Sequence, residues 1–180
     1  MKSILLTGAT GFVGGAVRPR LAASGWQVRC LTRDVAAARA AAPGLDWVEG
    51  DVSDGAACAA ALAGCQAALY LVHGIGAGSH YHEHEVAAAA QFARAAGEAG
   101  LSRIVYLGGV APRGAGSQHL RSRLDVGEVL RKGPVQTIEL RASMIVGHGS
   151  LSWLIVRDLA ARLPAMILPA WLRSRTEPVA

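Results

Sequence analysis

The sequence predicts an α/β protein, a doubly wound parallel sheet of about six strands flanked by helices. Short apolar runs alternate with longer segments of helical spacing along the whole chain, the pattern of βαβ units. Two inner runs, AALYLV at 67–72 and RIVYLGG at 103–109, are apolar on consecutive residues, as strands buried on both faces are. The first apolar run leads directly into TGATGFVGG, with glycines at Gly8, Gly11, Gly14 and Gly15. Glycine is costly to order, so a cluster behind a strand asks for a steric reason.

Taken in order, SILLT (3–7) reads as the first strand and 12–24 as the first helix. WQVRCLT (26–32) is a strand, the alanine-rich 34–42 a helix, LDWVEG (45–50) a strand and 54–63 a helix. AALYLV is followed by a long helix over 81–99, and RIVYLGG by a helix over 118–131. VQTIELRA (135–142) is the sixth strand, with a helix from about 151 onward. Right-handed crossovers leave the doubly wound sheet as the natural topology. Gly25, Gly64, Gly100 and Gly133 each stand before a strand, where left-handed helix caps are expected.

A chain of 180 residues is long enough for one domain with a sizeable core. Its 52% apolar and 17% charged residues are those of a globular chain. The net charge of +5 comes from scattered arginines, with no basic block and no interleaved aromatics, which argues against nucleic acid. Cys30, Cys58 and Cys65 are odd in number and lack CxxC spacing, as in a reduced, cytoplasmic protein. The N-terminus enters a strand almost at once and has no signal-peptide pattern. The apolar stretch LSWLIVRDLAARLPAMILPAWL is interrupted by Arg157, Asp158, Arg162, Pro164 and Pro169, which disfavours a membrane span.

Gly8, Gly11 and Gly14 have the spacing GxxGxxG between a predicted strand and a predicted helix. That context points to a dinucleotide. The chain turns at Gly8, Gly11 lets a pyrophosphate approach the backbone, and Gly14 lets the helix lie against the sheet. The helix N-terminus supplies free N–H donors and partial positive charge. Thr10, Phe12 and Val13 belong to the same turn and join the cofactor-binding set. Gly15 needs no functional role. The fold class is therefore Rossmann-like.

TGATGFVG resembles the TGxxGxxG fingerprint of the short-chain dehydrogenase/reductase superfamily, in its extended and atypical branches. LYLVHGIG (69–76), FARAAGEAGLSRIVYLGG (92–109), HLRSRLDVGEVL (119–130) and ELRASMIVGHGS (139–150) resemble the NmrA-like, NAD(P)H-binding members. That subgroup includes proteins similar to a complex I accessory subunit. The resemblance implies a nicotinamide cofactor and a small-molecule substrate that it does not specify.

The second strand ends at CLTRD, where NAD sites usually carry an acidic residue for the ribose. Arg33 stands here instead, suited to a 2′-phosphate through paired charge-assisted hydrogen bonds. The resemblance implies the same role, so NADP is expected, with NAD as the alternative. Asp34 either takes the ribose or caps the next helix, and the cap is preferred. Arg18 is a weaker phosphate candidate. The resemblance further implies that Asp51 contacts the adenine amino group and Val52 lines the ring; a solvated or capping Asp51 is the simpler reading. Leu71, Val72 and His73 end the fourth strand, where the nicotinamide ribose is expected.

Reductases of this superfamily protonate the carbonyl oxygen with a tyrosine, assisted by a lysine four residues later and a serine or threonine after the fifth strand. Those positions hold His119, Arg123 and the pair Gly108–Gly109, with Ser117 and Ser122 off register and Tyr106 inside the strand. Two readings follow. His119 replaces the tyrosine, with Arg123 binding an anionic substrate or the nicotinamide ribose; or both are ordinary residues of a half-exposed helix. His73, at a strand's end, is a further acid candidate. The cluster HYHEHE (80–85) puts His80 and His84 on one face if the helix begins at His80, but no HExxH or third ligand is present, so no metal is expected. Glu83 and Glu85 suit the helix start.

The expected division is a dinucleotide-binding domain over 1–150 and a helical segment over 151–180, the start of a truncated substrate region. Residues 151–172 are expected to show an exposed apolar face, covered by further sequence or by another subunit in a homo-oligomer.

Overall fold

The computed structural model describes residues 2–73, 81–111, 117–147, 149–163 and 178–180. The chain divides into two compact units, Met1–Leu140 and Arg141–Ala180.

The strands are β1 (Lys2–Leu6), β2 (Trp26–Thr32), β3 (Asp46–Glu49), β4 (Ala67–Tyr70), β5 (Arg103–Gly109) and β6 (Thr137–Ala142). They form one six-stranded sheet in the order β3-β2-β1-β4-β5-β6. The parallel ladders pair Ile4 with Val28, Ile4 with Ala67, and Ala68 with Ile104. The helices of the first unit are α1 (Phe12–Ala23), α2 (Val35–Ala41), α3 (Gly55–Leu62), α4 (Tyr81–Glu98) and α5 (Gln118–Lys132). This is a Rossmann-like fold, as its sequence pattern predicts.

Period-2 alternation sends successive strand residues to opposite faces. Leu5, Ala68, Tyr70, Ile104 and Tyr106 pack with Cys58 and Leu62 of α3, Ala89 and Phe92 of α4, and Val126 and Leu130 of α5. Ile4, Leu6, Val28 and Cys30 face the other way, toward Val13 and Leu21 of α1 and Ala38 of α2. Tyr70 meets Phe92 edge-on at 4.9 Å and Tyr106 at 6.0 Å between ring centroids. The alanines of α4 let that helix lie close to the sheet. On the opposite face, Leu69, Val105, Leu107 and Leu140 join residues of β1 and α1 around an apolar recess of about 280 Å³.

β4 is shorter than its apolar run because the N–H of Leu71 is taken at 3.1 Å by the Thr7 hydroxyl instead of by a neighbouring strand. Gly25, Gly64 and Gly100 have positive φ, as expected of helix caps. Gly133 does not: its φ is −68°. There the constraint is space, since a Cβ would come within 2.9 Å of the Ala93 side chain.

In the second unit, α6 (Leu151–Arg162) is capped by Ser150, whose hydroxyl accepts from the Trp153 N–H and donates to the Ile145 carbonyl at 2.7 Å. Val179 forms a parallel bridge with Ile145. No residue of α6 is buried; Leu151, Ile155 and Leu159 are among its exposed apolar side chains. The exposed apolar face expected here is present over 151–163, while Ile167, Leu168 and Trp171 lie outside the described residues. Among the described residues, no helix is long and apolar enough to cross a membrane.

Candidate functional site

The strand order reverses between β1 and β4, and a crevice opens at such a point beyond the carboxyl ends of the strands. Here it is a cleft of about 1180 Å³.

The β1–α1 turn forms its floor. Gly8 has φ +65°, and a Cβ there would lie 3.1 Å from the Leu71 backbone. The Gly11 N–H closes the turn onto the Gly8 carbonyl at 3.1 Å. At Gly14 a Cβ would come within 2.4 Å of the Gly8 oxygen and 2.7 Å of the Ala9 Cα. Gly14 therefore lets α1 pack against its own loop, where the sequence suggested the sheet. Gly15 faces only the end of the Arg18 side chain, at 3.8 Å. The α1 N-terminus has no side-chain cap, whereas Asp34, Asp54, Ser117 and Ser150 cap α2, α3, α5 and α6. The N-terminal N–H groups of α1 are thus left for a ligand.

All the expected cofactor residues line this cleft: Gly8, Thr10, Gly11, Phe12, Val13 and Gly14 from the turn, Arg33 after β2, Asp51 and Val52 after β3, and Leu71, Val72 and His73 after β4. The Arg33 side chain is 83% exposed, and its Nε lies 3.9 Å from an Asp51 oxygen. Asp34 is the α2 cap, accepting from the Ala37 N–H at 2.8 Å. Asp51 caps no helix. One of its oxygens accepts from the Ser53 N–H and hydroxyl at 2.8 and 2.7 Å. Burial pushes its carboxyl up, but the Ser53 hydrogen bonds and the Arg33 charge outweigh that and hold it below the usual range. Arg18 lies over the Trp47 ring at 5.4 Å and does not line the cleft.

At the other end, His73 Nε2 accepts from Arg123 Nη2 at 3.3 Å, and the same nitrogen donates to the Leu107 carbonyl at 3.1 Å. Burial, then the Arg123 and His119 charges, push His73 down to about 3. Its ring is neutral at physiological pH with the proton on Nδ1. His119 is half-buried on α5 and, like Arg123, does not itself line the cleft. Tyr106 donates its hydroxyl to the Arg123 carbonyl at 2.9 Å, and Ser117 is spent on capping α5.

Two members of the histidine cluster are described. His82 pairs with Asp125 at 2.8 Å, His84 lines the cleft, and His80 lies outside the described residues. Among the described residues, no three His, Cys, Asp or Glu side chains come together as metal ligands. The cleft also holds Glu85, which accepts a hydrogen bond from the fully buried Ser122 hydroxyl. The sequence reading placed Glu85 only at a helix start. Its signal was periodicity: Tyr81, Glu85, Ala88 and Phe92 follow i, i+4, i+7, i+11 along the inner face of α4.

A glycine-walled cleft over an uncapped helix N-terminus suits a dinucleotide pyrophosphate, and a Cβ at Gly8 or Gly14 would crowd that turn. Comparison with known proteins agrees: residues 8–161 match a family described as NAD(P)H-binding, and the chain belongs to it. No curated protein matches the sequence. A short-chain dehydrogenase/reductase superfamily protein from Agrobacterium tumefaciens with bound NAD is similar in structure, with a TM-score of 0.70 and 21% identity over 88% of this chain and 58% of that one. The Citrobacter sp. triphenylmethane reductase complexed with NADP(H) gives 0.68 and 25% over 80% and 50%. An NADPH-dependent quinone oxidoreductase from Escherichia coli complexed with NADPH gives 0.65 and 25% over 79% and 49%. The chain thus spans about half to three fifths of the length of these structures.

Proposed function

We propose that this chain is the NADP(H)-binding part of a cytoplasmic oxidoreductase of the NmrA-like kind, acting on a small molecule not yet identified. The observation that carries the reading is the uncapped α1 N-terminus facing a glycine-walled cleft, with an exposed arginine at its β2 edge. The N–H groups from Phe12 to Gly14 bind the pyrophosphate. Arg33 swings from Asp51 to the 2′-phosphate, Asp51 and Val52 flank the adenine, and Leu71, Val72 and His73 border the nicotinamide ribose. The cofactor, when bound, supplies a hydride.

A neutral His73 cannot act as an imidazolium acid near pH 7, and His119 does not line the cleft. Those two facts favour a second reading, a cofactor-sensing or accessory module with no turnover of its own. Titration with NADPH and NADH tests the first reading. Oxidation of NADPH in the presence of a panel of quinones, triphenylmethane dyes and carbonyl compounds separates it from the second. Tight NADPH binding without turnover of any of them supports the module, and NADPH consumption supports the oxidoreductase.

A further inference from the structure

Arg123 forms no ion pair with a described residue; its Nη2 is held by the His73 ring and the Leu107 carbonyl. Its Nε is sealed from solvent and has no hydrogen-bond partner among the described residues. On α5 and β6, Asp125 pairs with His82, Glu128 with Lys132 and Glu139 with Arg131, while Glu85 accepts from the neutral Ser122 hydroxyl and keeps its charge. Its neighbour His73 presents a neutral ring nitrogen. A partly buried cation without an ion pair is unfavourable until an anion reaches it.

Position favours such an anion. His73 and Leu107, the two groups held by Nη2, both line the cleft. Gly109, at the end of β5, lies beside the guanidinium, where a Cβ would touch Nε and Cδ at 3.4 Å; a carboxylate reaches Nε from the cleft when the His73 ring gives way. Nε and Nη2 form one edge of the guanidinium, the edge that binds a carboxylate through two parallel hydrogen bonds.

We propose that this end of the cleft is an anion subsite, where the Nε–Nη2 edge of Arg123 takes the carboxylate of the substrate beside the nicotinamide. The proposal rests on the dinucleotide reading above. The carboxylate displaces His73 Nε2 from Nη2 and supplies the partner that Nε lacks.

Benzoate and its neutral analogue benzamide are the probes, titrated calorimetrically into NADPH-saturated protein. Benzoate is expected to bind at least about tenfold more tightly than benzamide, as a bond to a charged group warrants. The preference should vanish in Arg123→Gln and return in part in Arg123→Lys. Benzoate no tighter than benzamide on the unaltered protein overturns the subsite, whether or not the variants fold. A preference that survives in Arg123→Gln overturns it too. A fall in NADPH affinity in Arg123→Gln with no response to benzoate overturns it in favour of the nicotinamide ribose. Failure of the unaltered protein to bind NADPH or NADH appears before any benzoate is added; it overturns the dinucleotide reading and takes this proposal with it.

Discussion

The end of the cleft at β1 is walled by backbone, and the end at β4, β5 and α5 by side chains that hold one another. At the first, Gly8, Gly11 and Gly14 create a turn in which nearly every feature follows from a missing Cβ. At the second, His73 meets Arg123 across 50 residues of sequence and Glu85 meets Ser122 across 37. A backbone cradle depends on local spacing alone. A side-chain network depends on which distant positions the sheet brings together, and changing one member disturbs the others.

Neighbouring glycines of α1 should break this comparison most sharply. Gly14→Ala places a Cβ against the Gly8 oxygen and Ala9 Cα, so it should destabilise the fold by about 1–3 kcal/mol and abolish dinucleotide binding. Gly15→Ala meets only a flexible arginine tip and should stabilise the helix by ~0.5–1 kcal/mol. Denaturant melts of the two variants check both signs.

Next is the arginine at the β2 edge. Arg33→Ala should weaken NADPH by about 1.5–3 kcal/mol, the value of a hydrogen bond to a charged group, and leave NADH nearly unchanged. Equal losses for both cofactors, read by calorimetry, would sink the 2′-phosphate role.

At the other end the test is pH. His73 titrates at about 3 in the folded chain and near 6.5 when unfolded. Between those values the unfolded chain binds a proton that the native one does not, so stability falls as pH drops below about 6.5, by up to ~1.4 kcal/mol per pH unit. Above that range His73 contributes no slope. His73→Asn should flatten the curve over this window, and Tm measured from pH 7 to 4 in both proteins reads the difference.

The smallest effect is expected at the α2 cap. Asp34→Ala should cost about 1 kcal/mol of stability and leave the NADPH to NADH affinity ratio as it was, because the carboxylate is already bonded to the Ala37 N–H. A changed ratio in paired titrations would return Asp34 to the ribose.

The parallel sheet was legible in the sequence because its inner strands β1, β4 and β5 are largely buried and read as apolar runs, and because glycines punctuate the chain. The β1–α1 turn, Arg33 and the ends of β3 and β4 were legible for the same local reason, and all of them meet in one cleft. Arg18 misled because its helix position suited a phosphate, while the nearby Trp47 ring attracted the guanidinium. Gly133 misled because glycine before a strand usually signals a left-handed cap, and here it makes room for Ala93. Glu85 and Ser122 were each named in the sequence, but their contact was missed, because only the packing of α4 beside α5 brings them together.

One titration bears most directly on the dinucleotide site. Gly11 has an extended backbone, φ −77° and ψ 173°, that any residue adopts, and among the described residues a Cβ there would meet the Gly8 oxygen at 3.3 Å. Gly11→Val should therefore fold with a modestly lowered Tm, since valine is a poorer helix N-cap than glycine, while its side chain fills the pyrophosphate position. Followed by nicotinamide fluorescence, the unaltered protein should bind NADPH, and the variant should lose at least about a hundredfold in affinity, the equivalent of two hydrogen bonds to a charged group. An unchanged affinity in a folded Gly11→Val protein would show that the glycine loop is only a turn.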